Sequence, residues 1–254
     1  MLAESYRDWI FTIPTVAAFG LTLGVFHLIG LCALPFGQRP FEKVMAGLQR
    51  TLIGVFRIAG IKVVTEGTAG FSPNAGYIFV SNHQSMYDVP IFGGLLPRNY
   101  PKYVAKRQLA RGLPSVSLNL RHGGNALIDR NHRDQAMDAI AEMASEAERR
   151  DVSVVIFPEG TRSRTGELGE FRVGGLAAIM EAAPNLPVIP AVIEGSWRVF
   201  QKNMFPVPYG ASVRIRFGEP ILRAVGESPV EILEHCRDWI DGTLDEWRTA
   251  EGAA

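Results

Sequence analysis

Tyr77-Ile78-Phe79-Val80-Ser81-Asn82-His83-Gln84-Ser85-Met86-Tyr87-Asp88 is the stretch that decides how this chain folds. Its first four residues are an apolar run short enough to be a buried strand. The polar turn after it supplies an imidazole and, five residues on, a carboxylate. α/β proteins commonly place their chemistry in such a turn at a strand end. In a straight helix five residues rotate through about 500°, which leaves the two side chains roughly 140° apart. His83 and Asp88 can therefore meet only if the chain turns between them, as in a loop leading into a helix.

Outward from this turn, residues 61–64, 126–128, 152–157, 188–193 and 213–217 read as further strands. A helix is predicted over 134–150, with Met137, Ile140, Met143 or Ala144, and Ala147 on one side. Asp134 is its expected N-cap, and Arg149-Arg150 suits the negative end of the dipole. Residues 173–183 and 227–247 read as two more helices, the last acidic and amphipathic with Ile232, Cys236, Ile240 and Leu244 inward. Alternating elements of this kind predict an α/β fold, a mixed and largely parallel sheet covered by helices.

The start of the chain differs. From Trp9 to Gln38 there is no Asp, Glu, Lys or Arg, a stretch longer than the roughly 20 residues a membrane-crossing helix needs. Pro14, Gly20, Gly24, Gly30 and Pro35 interrupt it, so one straight span is not assured. A cleaved signal peptide fits poorly, because Glu4 and Asp8 face a single Arg7 and no clear Ala-x-Ala site comes after. A buried core helix is the alternative. A second helix is predicted from 41 to about 59, either resting amphipathically at the membrane surface against the first or covering one face of the sheet. These readings divide the chain into an N-terminal membrane-associated helical motif at 1–60 and an α/β domain at 61–254. Basic residues dominate just after the apolar stretch, which favours the cytoplasmic face of an inner or plasma membrane for the rest of the chain.

The chain has 254 residues and a formal net charge of zero, which argues against a nucleic-acid partner. Cys32 and Cys236 lie far apart and imply neither a disulfide framework nor a zinc site. Charge is nevertheless unevenly placed. Between Asp88 and Asp129 there is no acidic residue, while Arg98, Lys102, Lys106, Arg107, Arg111 and Arg121 lie in that interval. Such a segment reads as a surface for phosphates or acidic headgroups, or as a solvated basic face.

Phe157-Pro158-Glu159-Gly160-Thr161-Arg162-Ser163-Arg164 also emerges from a predicted strand. Gly160 permits a tight backbone, Thr161 and Ser163 add hydroxyls, and the arginine forks match phosphate oxygens as lysine cannot. Gly123-Gly124-Asn125-Ala126-Leu127-Ile128-Asp129-Arg130 places Arg130 at another strand end. Pro190 interrupts the apolar run 187–195, where a bulge or strand end is expected.

Together these segments resemble the glycerolipid acyltransferase family typified by 1-acylglycerol-3-phosphate acyltransferase. Its His-x4-Asp block matches His83 and Asp88, its second block matches Gly124 through Arg130, and its Phe-Pro-Glu-Gly-Thr-Arg-Ser block matches Phe157 through Ser163. An apolar strand around a proline matches Val188 through Ile193, and Lys106 matches a lysine usual between the first two blocks. Arg172 departs from the lysine that many members carry. The resemblance implies a His83 base oriented by Asp88, with Lys106, Arg130, Glu159, Gly160, Thr161 and Arg162 holding the acceptor. It implies transfer of a fatty acyl group from acyl-CoA or acyl carrier protein, as co-substrate, to a lysophosphatidate hydroxyl, giving phosphatidic acid. The membrane lipid is then the milieu, and neither cofactor nor metal is called for. A different lysolipid acceptor, or a non-catalytic headgroup binder, is the alternative. A metal site built on His83, His122, His132 and Asp88 has no recognisable ligand spacing.

Overall fold

The computed structural model describes residues 6–129, 131–201, 205–223 and 226–252, with side chains through residue 250. Seven strands are formed: β1 (Lys62–Glu66), β2 (Ile78–Ser81), β3 (Lys102–Lys106), β4 (Ala126–Ile128), β5 (Val154–Ile156), β6 (Val188–Glu194) and β7 (Ser212–Phe217). They make one sheet in the order β1-β7-β6-β2-β5-β3-β4. β2 through β6 run parallel, β7 is antiparallel to β6, and β1 is parallel to β7. The carboxyl ends of five strands therefore share one edge with the amino ends of β1 and β7. The sheet is mixed and largely parallel, as its sequence pattern predicts.

Helices α1 (Tyr6–Ala33), α2 (Gln38–Phe56), α3 (Asp88–Leu95), α4 (Val116–His122), α5 (Arg133–Arg149), α6 (Val173–Ala182), α7 (Ser196–Val199) and α8 (Pro229–Gly252) complete the chain. Alternation along each strand separates two cores. Phe79, Val155, Ile189 and Ile215 face Phe56 of α2, Tyr87 just before α3, and Ile91 and Phe92 of α3. Ile78, Val80, Val154 and Ile156 face the other way, onto Ile140 and Ala144 of α5, Leu176 of α6 and Cys236 of α8.

The apolar start forms one continuous helix, in spite of Pro14 and its glycines. Among the described residues α1 is the one helix long and apolar enough to cross a membrane. Its Leu23 packs with Phe41, Met45, Leu48 and Leu52 of α2, while Trp9, Ile10, Ile13, Leu21 and Leu28 stay exposed. The apolar side of α2 packs against α1, as expected, and also against α3, so it is buried within the protein. Close approach to α3 rests on two glycines. A Cβ on Gly93 would lie 1.2 Å from Gln49 Oε1, and one on Gly94 would lie 3.0 Å from Arg50 Cα. The exposed side of α2 and its end carries Arg39, Lys43, Arg50 and Arg57 instead.

Lys102, read from sequence as part of a surface basic segment, is buried. Its ammonium pairs with Glu42 of α2, which also accepts from Arg150 Nη2 at 2.8 Å. Burial alone would raise the Glu42 carboxyl, but Lys102 and Arg150 outweigh it and hold the group below its ordinary 4.5. Asp134 is not the N-cap of α5: His132 occupies that position, and Asp134 sits in the first turn, where the dipole still favours a carboxylate. Pro190 lies within β6, opposite a bulge. Val188 bonds to Ile221 and Pro190 O accepts from Gly218 N, so the returning chain is one residue longer there.

Candidate active site

His83 and Asp88 meet because the strand ends, a loop turns, and α3 begins at Asp88 itself. His83 Nδ1 lies 2.7 Å from Asp88 Oδ2. The same oxygen accepts the amides of Gln84 at 2.7 Å and Ser85 at 2.9 Å. Asp88 is fully buried, whereas the His83 side chain is 17% exposed. Because Oδ2 already accepts two amides, Nδ1 is read as the donor to it, and the imidazole then keeps its lone pair on Nε2. Nε2 has no protein partner among the described residues, so it is free to take a proton. One face of the ring stacks on Phe157, centroids 4.1 Å apart at 16°.

The loop after β5 supports this turn from the neighbouring strand. Glu159, expected at the acceptor, is buried beneath His83: Oε1 accepts the His83 amide at 2.7 Å and Oε2 the Gly169 amide at 3.0 Å. Burial pushes its carboxyl above 4.5, and those two amides only partly offset the rise. Ser163 N donates to His83 O at 2.8 Å, so both main-chain groups of His83 are held. Gly160 takes a left-handed φ of +65°, which turns the chain tightly enough to leave Thr161 and Arg162 exposed at the edge. Lys106 ends β3, one strand farther along, and is exposed as well. Arg130 lies outside the described residues. The structure thus brings His83, Asp88 and Glu159 into contact, while Gly160, Thr161, Arg162 and Lys106 share their edge. Among the described residues no three His, Cys, Asp or Glu side chains gather as a metal site.

Several residues at the site are not evident from sequence. Asn82 is buried and hydrogen-bonds Ile193 across the sheet. Gln84 donates to Glu194 Oε2 at 3.0 Å, and Glu194 also pairs with Arg248 of α8. Ser196 donates its hydroxyl to Asp88 Oδ1. The run 187–195 reads as a strand with apolar walls. Its end is as much a strand end as the two loops opposite, and that was the available signal.

A family model described as Acyltransferase matches residues 62–194. The 1-acyl-sn-glycerol-3-phosphate acyltransferase of Cocos nucifera is 29% identical over 204 residues, covering 79% of this chain. The chain spans 63% of that protein's length. The 1-acyl-sn-glycerol-3-phosphate acyltransferase alpha of Mus musculus is 32% identical over 213 residues, 83% of this chain and 68% of its own. The Escherichia coli (strain K12) 1-acyl-sn-glycerol-3-phosphate acyltransferase is 28% identical over 189 residues, 74% of each. In fold, the chain matches the 1-acyl-sn-glycerophosphate (LPA) acyltransferase, PlsC, from Thermotoga maritima. The TM-score is 0.75 at 21% identity, over 95% of this chain and 96% of that one.

Proposed function

The chain belongs to the acyltransferase family, and from that premise we propose that it acylates the free hydroxyl of 1-acylglycerol-3-phosphate to give phosphatidic acid. The observation that carries this reading is the 2.7 Å pairing of His83 Nδ1 with a buried Asp88, which leaves Nε2 open. Nε2 removes the acceptor's hydroxyl proton as its oxygen attacks the thioester carbonyl of acyl-CoA or acyl carrier protein. The C–S bond breaks, and the imidazolium returns the proton to the departing thiolate. Asp88 holds the tautomer and stabilises the transient imidazolium, as the acid does in a hydrolase triad. No side-chain nucleophile takes part, because the acceptor oxygen is the nucleophile.

Lys106, Arg130, Gly160, Thr161 and Arg162 hold the acceptor's phosphate and glycerol in this reading. A clamp of that kind fixes the hydroxyl near His83 and so raises its effective concentration. Glu159 acts one step back, by fixing the His83 main chain. The exposed apolar side of α1 fits a lysolipid acceptor, since acceptor and product both reside in a leaflet; we place that leaflet on the cytoplasmic face. The acyl thioester is a co-substrate, and this reading calls for no cofactor.

The test is an acceptor and donor panel with purified protein in detergent, wild type beside His83→Ala. Lysophosphatidate should outpace neutral-headgroup acceptors, and His83→Ala should lower the rate roughly a hundredfold to ten-thousandfold. Equal rates without a phosphomonoester would remove the phosphate clamp, and an active His83→Ala would remove the base.

A further inference from the structure

Ser196 lies two residues beyond the segment that the family model matches, at the start of α7. It is fully buried, and its hydroxyl reaches Asp88 from 108 residues away in sequence. The two oxygens of Asp88 are held by different parts of the chain. Oδ2 takes the His83 imidazole and the amides of Gln84 and Ser85, all from its own turn. Oδ1 takes the Ser196 hydroxyl and, at a longer 3.3 Å, that of Ser85. Ser85 Oγ is itself engaged by the Tyr87 amide at 3.0 Å. Ser196 is therefore the one strong tie, among the described residues, between the carboxylate and the segment that follows β6.

The tie comes from a fixed point. Gly195 sits at φ +85°, where a Cβ would lie 2.3 Å from Ser212 O, so the chain leaves β6 pressed against β7. Trp197 Nε1 donates to Glu194 Oε1 at 3.3 Å, and Glu194 also receives Gln84 of the His83 turn. Ser196 is braced on both sides while its hydroxyl holds Oδ1.

We propose that Ser196 is a positioning residue for the His83–Asp88 pair. A carboxylate held through one oxygen can rotate about its Cβ–Cγ bond. Held through both, it keeps the Oδ2 lone pair on His83 Nδ1, which fixes the ring and aims Nε2. The inference rests on the base role given to His83 above.

The experiment compares Ser196→Ala, Ser196→Thr and Ser196→Cys with wild type and His83→Ala, measuring kcat, both KM values and the thermal midpoint in detergent. Ser196→Ala should lower kcat about tenfold to a hundredfold, the scale of a misaimed reacting group, with both KM values within about twofold. Ser196→Thr, which keeps the hydroxyl, should recover most of the loss. Ser196→Cys, a weak donor of similar size, should fall between and covers the case in which threonine does not fit. A kcat for Ser196→Ala near wild type while His83→Ala is inactive overturns this inference and leaves the base in place. So does a loss expressed in KM, or one that tracks the thermal midpoint and that neither Thr nor Cys relieves. If His83→Ala is itself active, the base reading fails first, whatever Ser196 does.

Discussion

Asn82 and Ile193 exchange two hydrogen bonds of 2.8 Å, the amide side chain of one against the main chain of the other. The side chain continues the β2–β6 ladder after β2 has left the sheet for the His83 turn. Asn82→Ala should therefore leave a buried N–H and C=O of Ile193 unpaired. The expected loss is about 2–6 kcal/mol in denaturant unfolding, at roughly 1–3 kcal/mol for each of the two orphaned groups. A loss under about 0.5 kcal/mol would mean that Ile193 finds other partners.

Glu159 separates two readings of the loop after β5 by kinetics. Both its oxygens accept main-chain N–H groups, and a glutamine can accept only one of them. Glu159→Gln should thus disturb the His83 main chain and lower kcat by about tenfold to a hundredfold, with the acceptor KM little changed. A large rise in acceptor KM at unchanged kcat would return Glu159 to the substrate.

Glu42 should govern acid stability. Its Lys102 and Arg150 partners are both largely buried, and removing one member of such a group costs about 3–5 kcal/mol. Glu42→Gln should show that loss at pH 7. Because the folded carboxyl lies below 4.5, its stabilisation is present above that value and lost as pH falls through the folded one. The gap between wild type and variant should accordingly narrow as pH drops below 4.5. A gap that is constant with pH would detach the effect from ionisation.

Gly94→Ala should push α2 off α3, since the new methyl would meet Ile53 Cδ1 at 2.6 Å and the Arg50 main chain at 3.0 Å. Overpacking of that kind costs about 1–3 kcal/mol. Gly54→Ala, on α2 with open space around it, is the control and should be neutral or slightly stabilising.

The two cysteines should report where α1 lies. Cys236 is buried, and burial pushes its thiol up to about 12, so a maleimide should reach it only on unfolding. Cys32 is exposed near the end of α1. It should label readily in mild detergent and slowly with a membrane-impermeant maleimide in intact vesicles. Fast labelling in vesicles would take that end of α1 out of the bilayer.

Most of the sheet was legible because its strands are apolar runs ended by polar turns. β3 was not, since Lys102 and Lys106 bracket it and a charged strand leaves no apolar signature. Lys102 is tolerated there only because Glu42 arrives from 60 residues earlier, a pairing invisible to local periodicity. The same limit hid Ser196. His83 and Asp88 are close in sequence and announce themselves, whereas a hydroxyl delivered from just past the end of β6 is defined by the fold. Glu159 was legible as a carboxylate at a strand end, but its burial against the His83 main chain was not.

The reversed pair of outer strands, β1 and β7, decides where the ends of the described chain emerge. β7 starts at the edge that carries His83, and the segment just before it is bonded to Asp8 and Thr12 of α1. β7 then leaves by the opposite edge, so α8 must climb back until Arg248 reaches Gly166. Both ends thus stand at the edge of the sheet that carries His83. A fluorophore or affinity handle intended to leave turnover untouched belongs at the other rim, in the exposed turns at Asn74 or Asp151.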